Sequence, residues 1–275
     1  MKLKRSGRLV DMTRYLMEHP NTIVSLTEFS ERYESAKSSI SEDLAIIKES
    51  FEAQGVGKLV TLHGATGGVK YIPYIKKKAA ESFLTSLGQM LSSQERLLAG
   101  GYLFMTDILG DPFIIKEIGR LIASVYIHND IDVVMTMETK GIPIAYAAAS
   151  QLNVPVVIAR RSSKVTEGST VSINYVSGSS KRIQSMVLPR RSLSKGSRVL
   201  IVDDFMKAGG TIKGMMHLVA EFECLTVGIA VLVETGGESP KLVDRYLSLL
   251  KLGQIKEGTA VPIEIGNYFN YFREE

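Results

Sequence analysis

The sequence predicts an α/β chain in two parts. Residues 1–74 read as three short helices closed by a β-hairpin, and residues 75–275 as a doubly wound parallel sheet with helices on both faces. Three observations predict this. Apolar residues recur at helical spacing in three successive front segments. Two aliphatic runs farther on each end in a polar loop and lead through a helical stretch to another aliphatic run. The charge is also divided unevenly: residues 1–78 hold 13 Lys and Arg against 9 Asp and Glu, leaving 20 of each from the totals of 33 and 29. A basic front end points to a polyanionic partner.

Composition narrows the class. At 45% hydrophobic and 23% charged, the chain reads as globular rather than disordered. No apolar run is long enough to span a bilayer, so no membrane partner is expected. The basic start MKLKRSGRLV lacks a following apolar segment and does not read as a secretory signal. The single Cys224 excludes an internal disulfide and suits a reducing cytoplasm. His19, His63, His128 and His217 are scattered without metal-ligand spacing, so no metal held directly by protein side chains is expected.

In the front part, Leu9, Met12 and Leu16 form the first stripe, and Pro20 and Asn21 stop it. Leu26, Phe29 and Tyr33 form the second. Ile40, Leu44, Ile47 and Phe51 form the third, which Gly55 and Gly57 end. KLVTLH, the turn GATGG and VKYIP then read as a hairpin. These are the parts of a winged helix-turn-helix, in which the third helix enters the DNA major groove and the glycine-rich turn forms the wing. On the leading edge of that helix, Ser38, Ser39 and Ser41 can donate to phosphate or base edges, and Lys37 supplies charge. Ser39 with Glu42 also fits a helix capping box, and the two readings stay open. His63, Thr66 and Lys70 are the wing candidates, with Arg5 and Arg8 flanking on the first helix. Such a module can also dock a protein, which is the competing reading. Pro73 and the basic run Lys76, Lys77, Lys78 mark the boundary, and several helices are expected over residues 75–130.

In the second part, Ile131–Met137 is mostly aliphatic, as befits a strand buried on both faces. It ends in ETKG. Ile144, Ala148 and Leu152 mark a helix, and VPVVIARR a second strand, completing a βαβ unit. The pattern repeats as strand VLIVDD, loop FMKAGGT, helix IKGMMHLVAEF and strand TVGIAVLVE. Between the units, residues 162–190 hold two strand-like runs around GSSK and read as a protruding hairpin. In such sheets ligands sit beyond the carboxyl ends of the strands, where both ETKG and DDFMKAGGT fall. Ala208, Gly209 and Gly210 are small enough for backbone amides to converge at a helix start near Thr211, forming an anion pocket. Asp203 and Asp204 cannot bind phosphate; they suit vicinal sugar hydroxyls or hydrated Mg²⁺. A phosphate cradle beside two hydroxyl acceptors describes a sugar phosphate. The order of a Walker A loop is absent.

VLIVDDFMKAGGT resembles the 5-phosphoribosyl 1-pyrophosphate (PRPP) loop of type I phosphoribosyltransferases. ETKGIPIAYAAASQLNVPVVIARR resembles the pyrophosphate loop, helix and strand of the purine members. With the winged helix in front and the run INYVSGSSKRIQSM, the whole chain resembles the purine operon repressors of Gram-positive type. The resemblance implies that Asp203 and Asp204 hold the ribose hydroxyls and that Ala208, Gly209, Gly210 and Thr211 wrap the 5′-phosphate. Glu138, Thr139, Lys140 and Gly141 would receive the pyrophosphate and its Mg²⁺, and Arg160 would add a cation at the same mouth. Gly178, Ser179, Ser180 and Lys181 would close over the ligand. Lys207 stands where the catalytic relatives usually keep a small residue, and reads either as an exposed loop lysine or as an extra ligand for a polyanion. Phe205 can stack on a purine, and Tyr102 can do the same or pack in the core. The chain shows no clear purine-recognition loop, so the resemblance implies a sensor without turnover. Its partners would be operator DNA, PRPP, a competing guanosine tetraphosphate (ppGpp) and a second copy of the chain, with Mg²⁺ present only alongside PRPP. The alternative is an active, xanthine-like purine phosphoribosyltransferase with an accessory domain.

Overall fold

A computed structural model of the protein describes residues 3–64, 67–176, 182–236, 241–255 and 260–272. The chain divides into two compact units, Met1–Lys76 with Ser150–Asn153, and Lys77–Ala149 with Val154–Glu275.

The first unit runs α1 (Arg5–Glu18), β1 (Ile23–Val24), α2 (Leu26–Tyr33), α3 (Lys37–Gln54), β2 (Lys58–Leu62) and β3 (Gly68–Ile72). The stripes read from sequence meet in one core: Met12 and Leu16 of α1, Phe29 and Tyr33 of α2, and Ile40, Leu44, Ile47 and Phe51 of α3. Burying each such side chain contributes roughly 1.5–3 kcal/mol. Leu9, the first residue of the first stripe, is only partly buried at the edge. β1 is an element the sequence reading lacked. Two residues are too few to show an alternation, yet they pair antiparallel with β3 and make the sheet three-stranded, in the order β1–β3–β2.

The capping box at Ser39 and Glu42 is not formed. α3 starts earlier, at Lys37, behind Ala36, and no side chain caps it. The capping serine of this unit is Ser25, whose side chain accepts from the Glu28 amide at the start of α2 (3.0 Å).

The second unit begins with α4 (Lys77–Leu91). A small hairpin follows, β4 (Leu97–Leu98) and β5 (Tyr102–Leu103), and then α5 (Thr106–Gly110) and α6 (Pro112–Tyr126). Asp111 caps α6, accepting from the amides of Phe113 and Ile114. Next come β6 (Val133–Met137), α7 (Gly141–Leu152), β7 (Val156–Ala159), β8 (Thr170–Val176), β9 (Ile183–Pro189), β10 (Arg198–Met206) and α8 (Gly210–Glu221). β11 (Leu225–Thr235), β12 (Leu247–Leu252), β13 (Ile263–Ile265) and α9 (Tyr268–Tyr271) complete it.

The main sheet has the order β13–β12–β11–β10–β6–β7, parallel throughout except for the antiparallel edge strand β13. β6 is buried along its whole length, and Val199–Val202 of β10 are fully buried, which explains their unbroken aliphatic runs. The chain leaves β6 toward β7 and leaves β10 toward β11, in opposite directions. Right-handed crossovers then put α7 and α8 on opposite faces, and a crevice opens between the ends of β6 and β10.

Two expectations change. β10 continues through Phe205 and Met206, and α8 starts at Gly210, so the loop is shorter than FMKAGGT. The hairpin β8–β9 does not simply protrude: Tyr175, Met186 and Leu188 belong to the core built around α8. Its inner face is apolar at alternate positions, a period hidden by the polar residues between them.

Candidate functional site

The crevice holds a cavity of about 440 Å³. Its floor is the carboxylate pair. Asp203 is 7% exposed, and its Oδ1 accepts from the amide of Asp204 at 3.0 Å. Burial first, and the neighbouring Asp204 charge second, push the Asp203 carboxyl well above the usual carboxylate range. Burial raises Asp204 too, opposed by its hydrogen bond with Asp203 and by the Lys140 ammonium. Two acceptors starved of water at one spot favour a ligand that brings hydroxyl donors or a cation.

One wall is the start of α8. Thr235 Oγ1 (3.1 Å) and Lys241 Nζ (2.6 Å) bond to the Lys207 carbonyl, and the Leu242 amide bonds to the Ala208 carbonyl (2.9 Å). The loop's carbonyls are thus tied back by the segment behind it. Gly209 sits at φ +85° as the N-cap of α8 and offers no capping side chain. The first helical amides therefore have no acceptor within the helix and are available to an anion. Thr211 lines the cavity beside them.

The opposite wall comes from the loop after β6. Glu138 and Lys140 line the cavity. Glu138 is already engaged: its carboxylate accepts from the Arg161 amide (2.9 Å) and pairs with Arg160 (3.4 Å). Gly141 is buried, and a Cβ there would overlap Thr136 Oγ1 and come within 3.1 Å of Asp203 Oδ1. Only glycine lets the start of α7 approach Asp203 so closely. Thr139 is exposed at the turn.

Arg160 pairs with Glu138, and its backbone bridges to Val187, whereas its neighbour Arg161 lines the cavity. The sequence reading named Arg160 for the mouth and did not name Arg161, the member of this pair that lines the cavity. Adjacent residues at a strand end point to opposite sides, and the sequence does not fix which one faces in. Tyr175 and Gln184 of the β8–β9 hairpin also line the cavity and were missed, because the hairpin's packing on α8 was not foreseen.

At the lip, Phe205 and Tyr102 lie with ring centroids 5.6 Å apart. Tyr102 is 38% exposed, so core packing is not its role. Lys207 Nζ donates to the Gly100 carbonyl (2.8 Å) and lies 5.4 Å from the centre of the Tyr102 ring. It therefore borders the site while engaged in the β4–β5 turn. Gly178, Ser179, Ser180 and Lys181 lie outside the described residues.

The first unit carries a separate concavity of about 610 Å³ between α2, α3 and the β2–β3 hairpin. Lys37, Ser41 and His63 line it, together with Ser25, Thr27 and Lys48, which the sequence reading missed. Ser38 is exposed at the start of α3, outside this lining, and Ser39 is half-buried there. Lys70 is half-buried in mid-β3, opposite Ile23 and Val60. Arg5 and Arg8 converge on fully buried Asp43, at 3.0 Å and 2.7 Å. Arg8 is 12% exposed, so the structure gives it an internal clip rather than a free contact surface. Thr66 lies outside the described residues. Among the described residues, no three His, Cys, Asp or Glu side chains group as a metal site would need, and no helix is long and apolar enough to cross a membrane.

Comparisons with known proteins match both halves. Residues 4–73 match the family of the bacterial purine repressor N-terminal domain, and residues 105–261 the phosphoribosyl transferase domain. The chain is 60% identical over its full length to the purine biosynthesis transcriptional repressor PurR of Bacillus subtilis, covering 96% of that protein. It is 49% identical over 98% of its length to the purine biosynthesis transcriptional activator PurR of Lactococcus lactis, covering 99% of it. A xanthine phosphoribosyltransferase of Lactococcus lactis matches 60% of the chain at 30% identity, over 89% of the enzyme. Among solved structures, the adenine phosphoribosyltransferase of Rhodothermus marinus covers 62% of this chain and 99% of its own, with a TM-score of 0.53 at 22% identity; this shows the shared fold. The chain belongs to the PurR family of bacterial purine biosynthesis transcriptional regulators, in which a DNA-binding N-terminal domain precedes a phosphoribosyltransferase domain.

Proposed function

We propose that this regulator is a cytoplasmic repressor of purine genes whose grip on operator DNA is loosened by PRPP bound in the crevice. The carrying observation is the pair of buried Asp203 and half-buried Asp204 set beside the uncapped start of α8. Hydroxyl acceptors and anion donors in one cavity are the complement of a phosphorylated ribose. Lys140 and Arg161 add positive charge toward a pyrophosphate. Mg²⁺ would arrive with that pyrophosphate and supply a further positive charge, which the Asp203 and Asp204 carboxylates in the same cavity would favour. Repression, rather than activation, is favoured by the higher identity to the Bacillus subtilis repressor.

Guanosine tetraphosphate would compete for the same cavity. The Tyr102–Phe205 ring pair offers stacking surfaces for guanine, and Lys207 a charge for phosphate. DNA would be gripped by a homodimer through the concavity holding Lys37, Ser41 and His63.

The domain would act as a sensor, not an enzyme. Lys207 occupies the lip of the cavity, and the Glu138 carboxylate is spent on Arg160 and Arg161. Calorimetry on the full chain with Mg²⁺ should give saturable PRPP uptake that ppGpp displaces. Incubation with PRPP and xanthine, guanine or hypoxanthine should release no nucleotide. Turnover at enzyme rates would overturn the sensor reading, and absence of PRPP uptake would overturn the proposal as a whole.

A further inference from the structure

The PRPP cradle, on the reading above, is built from the start of α8. Tyr175, outside that loop, lines the same cavity. Tyr175, on β8, is 7% exposed, and its ring packs so closely on α8 that a Cβ at Gly214 would come within 3.0 Å of it. Its hydroxyl donates to Gln184 Oε1 on the facing strand at 2.8 Å, across a paired position of the hairpin. Thr211, in the first turn of α8, lines the same cavity as Tyr175. Both Tyr175 and Gln184 line the cavity.

We infer that Tyr175 is a binding residue for the 5′-phosphate of the ligand. The Tyr175 hydroxyl donates its proton to Gln184 on the wall of the cavity. A phosphate oxygen arriving at the α8 amides and the Thr211 hydroxyl enters the cavity that Tyr175 lines. Its hydroxyl proton then serves the ligand best by turning from the neutral Gln184 amide to the charged phosphate, a stronger acceptor. Burial raises the Tyr175 phenol above its ordinary range, so it remains a proton donor at neutral pH. Arg161 and Asp203 line the same cavity as Tyr175. One hydroxyl thereby ties the β8–β9 hairpin to the occupancy of the α8 cradle.

The inference rests on the PRPP reading, and calorimetry on the full chain separates the two. The probes are PRPP, ribose 5-phosphate and inorganic pyrophosphate, each with Mg²⁺, on wild type and Tyr175→Phe. Phenylalanine keeps the ring against Gly214 and removes only the hydroxyl. Ribose 5-phosphate and PRPP should each bind about tenfold or more weakly to the variant, the value of a hydrogen bond to a charged group. Pyrophosphate lacks the 5′-phosphate and should bind both proteins equally, which also reports that the variant is folded. Equal ribose 5-phosphate affinity in both proteins overturns the Tyr175 assignment and leaves the PRPP reading standing, as does an equal loss for all three probes. If wild type takes up neither sugar phosphate, the PRPP reading falls and the Tyr175 assignment falls with it.

Discussion

Asp203 places a carboxyl where its surroundings oppose a charge. Its folded-state carboxyl is raised above the ordinary 3.8 by burial and by Asp204. The native state therefore holds more protons than the unfolded chain above that value, and the stability it contributes falls as pH rises through the interval. Asp203→Asn removes the opposition while keeping an acceptor for the Asp204 amide. At neutral pH it should raise stability by about 0.5–2 kcal/mol, the range typical of relieving a functional compromise. PRPP uptake should be lost in the same variant. Calorimetric melting checks the first part, and a lowered melting temperature would mean that the carboxylate stabilises the fold. Gly141→Ala drives a methyl into Thr136 and Asp203 and should lower stability by about 1–3 kcal/mol, measured in the same way. Much at this scale was legible in the sequence. DD, AGGT and ETKG lie where a sheet of this kind collects ligands. The choice of Arg161 over Arg160 was not, because strand parity at that end depends on where the strand stops. Tyr175 was not legible either, because its role depends on contacts between β8 and α8 that are distant in sequence.

Among the elements, the first unit is held by polar clips as well as by its apolar stripes. Asp43 is fully buried and gathers Arg5 and Arg8 from α1 onto α3. Removing one partner of a buried ion pair leaves the other charge unsatisfied, so Asp43→Ala should destabilise by about 3 kcal/mol. Denaturant titration would detect the loss, and an unchanged midpoint would contradict it. A second clip joins α1 to α2. The Arg14 guanidinium first, then the Tyr33 hydroxyl and Arg32, hold Asp11 down to about 2. Because the folded value lies below the ordinary 3.8, this clip stabilises above that pH and is lost as pH falls toward about 2. Asp11→Asn should flatten the acid side of the stability profile in that window. The three helices were legible because their stripes keep strict helical spacing. β1 escaped because it is two residues long, and the supposed cap at Ser39 failed because α3 starts two residues earlier, at Lys37.

For the whole molecule, the proposal joins a metabolite cavity to a DNA-binding module, and such coupling is reciprocal. If PRPP lowers operator affinity by some factor, operator DNA lowers PRPP affinity by the same factor. The basic excess in the first quarter of the chain also predicts that operator affinity falls steeply as salt rises. A flat salt response would favour protein docking by the winged helix instead. The most direct measurement is a mobility shift of purine-operator DNA against rising PRPP with Mg²⁺, run on wild type and Asp204→Ala. PRPP should release DNA from wild type and leave the variant bound. Release of both proteins at the same PRPP concentration, or of neither, would contradict the assignment of this cavity as the switch.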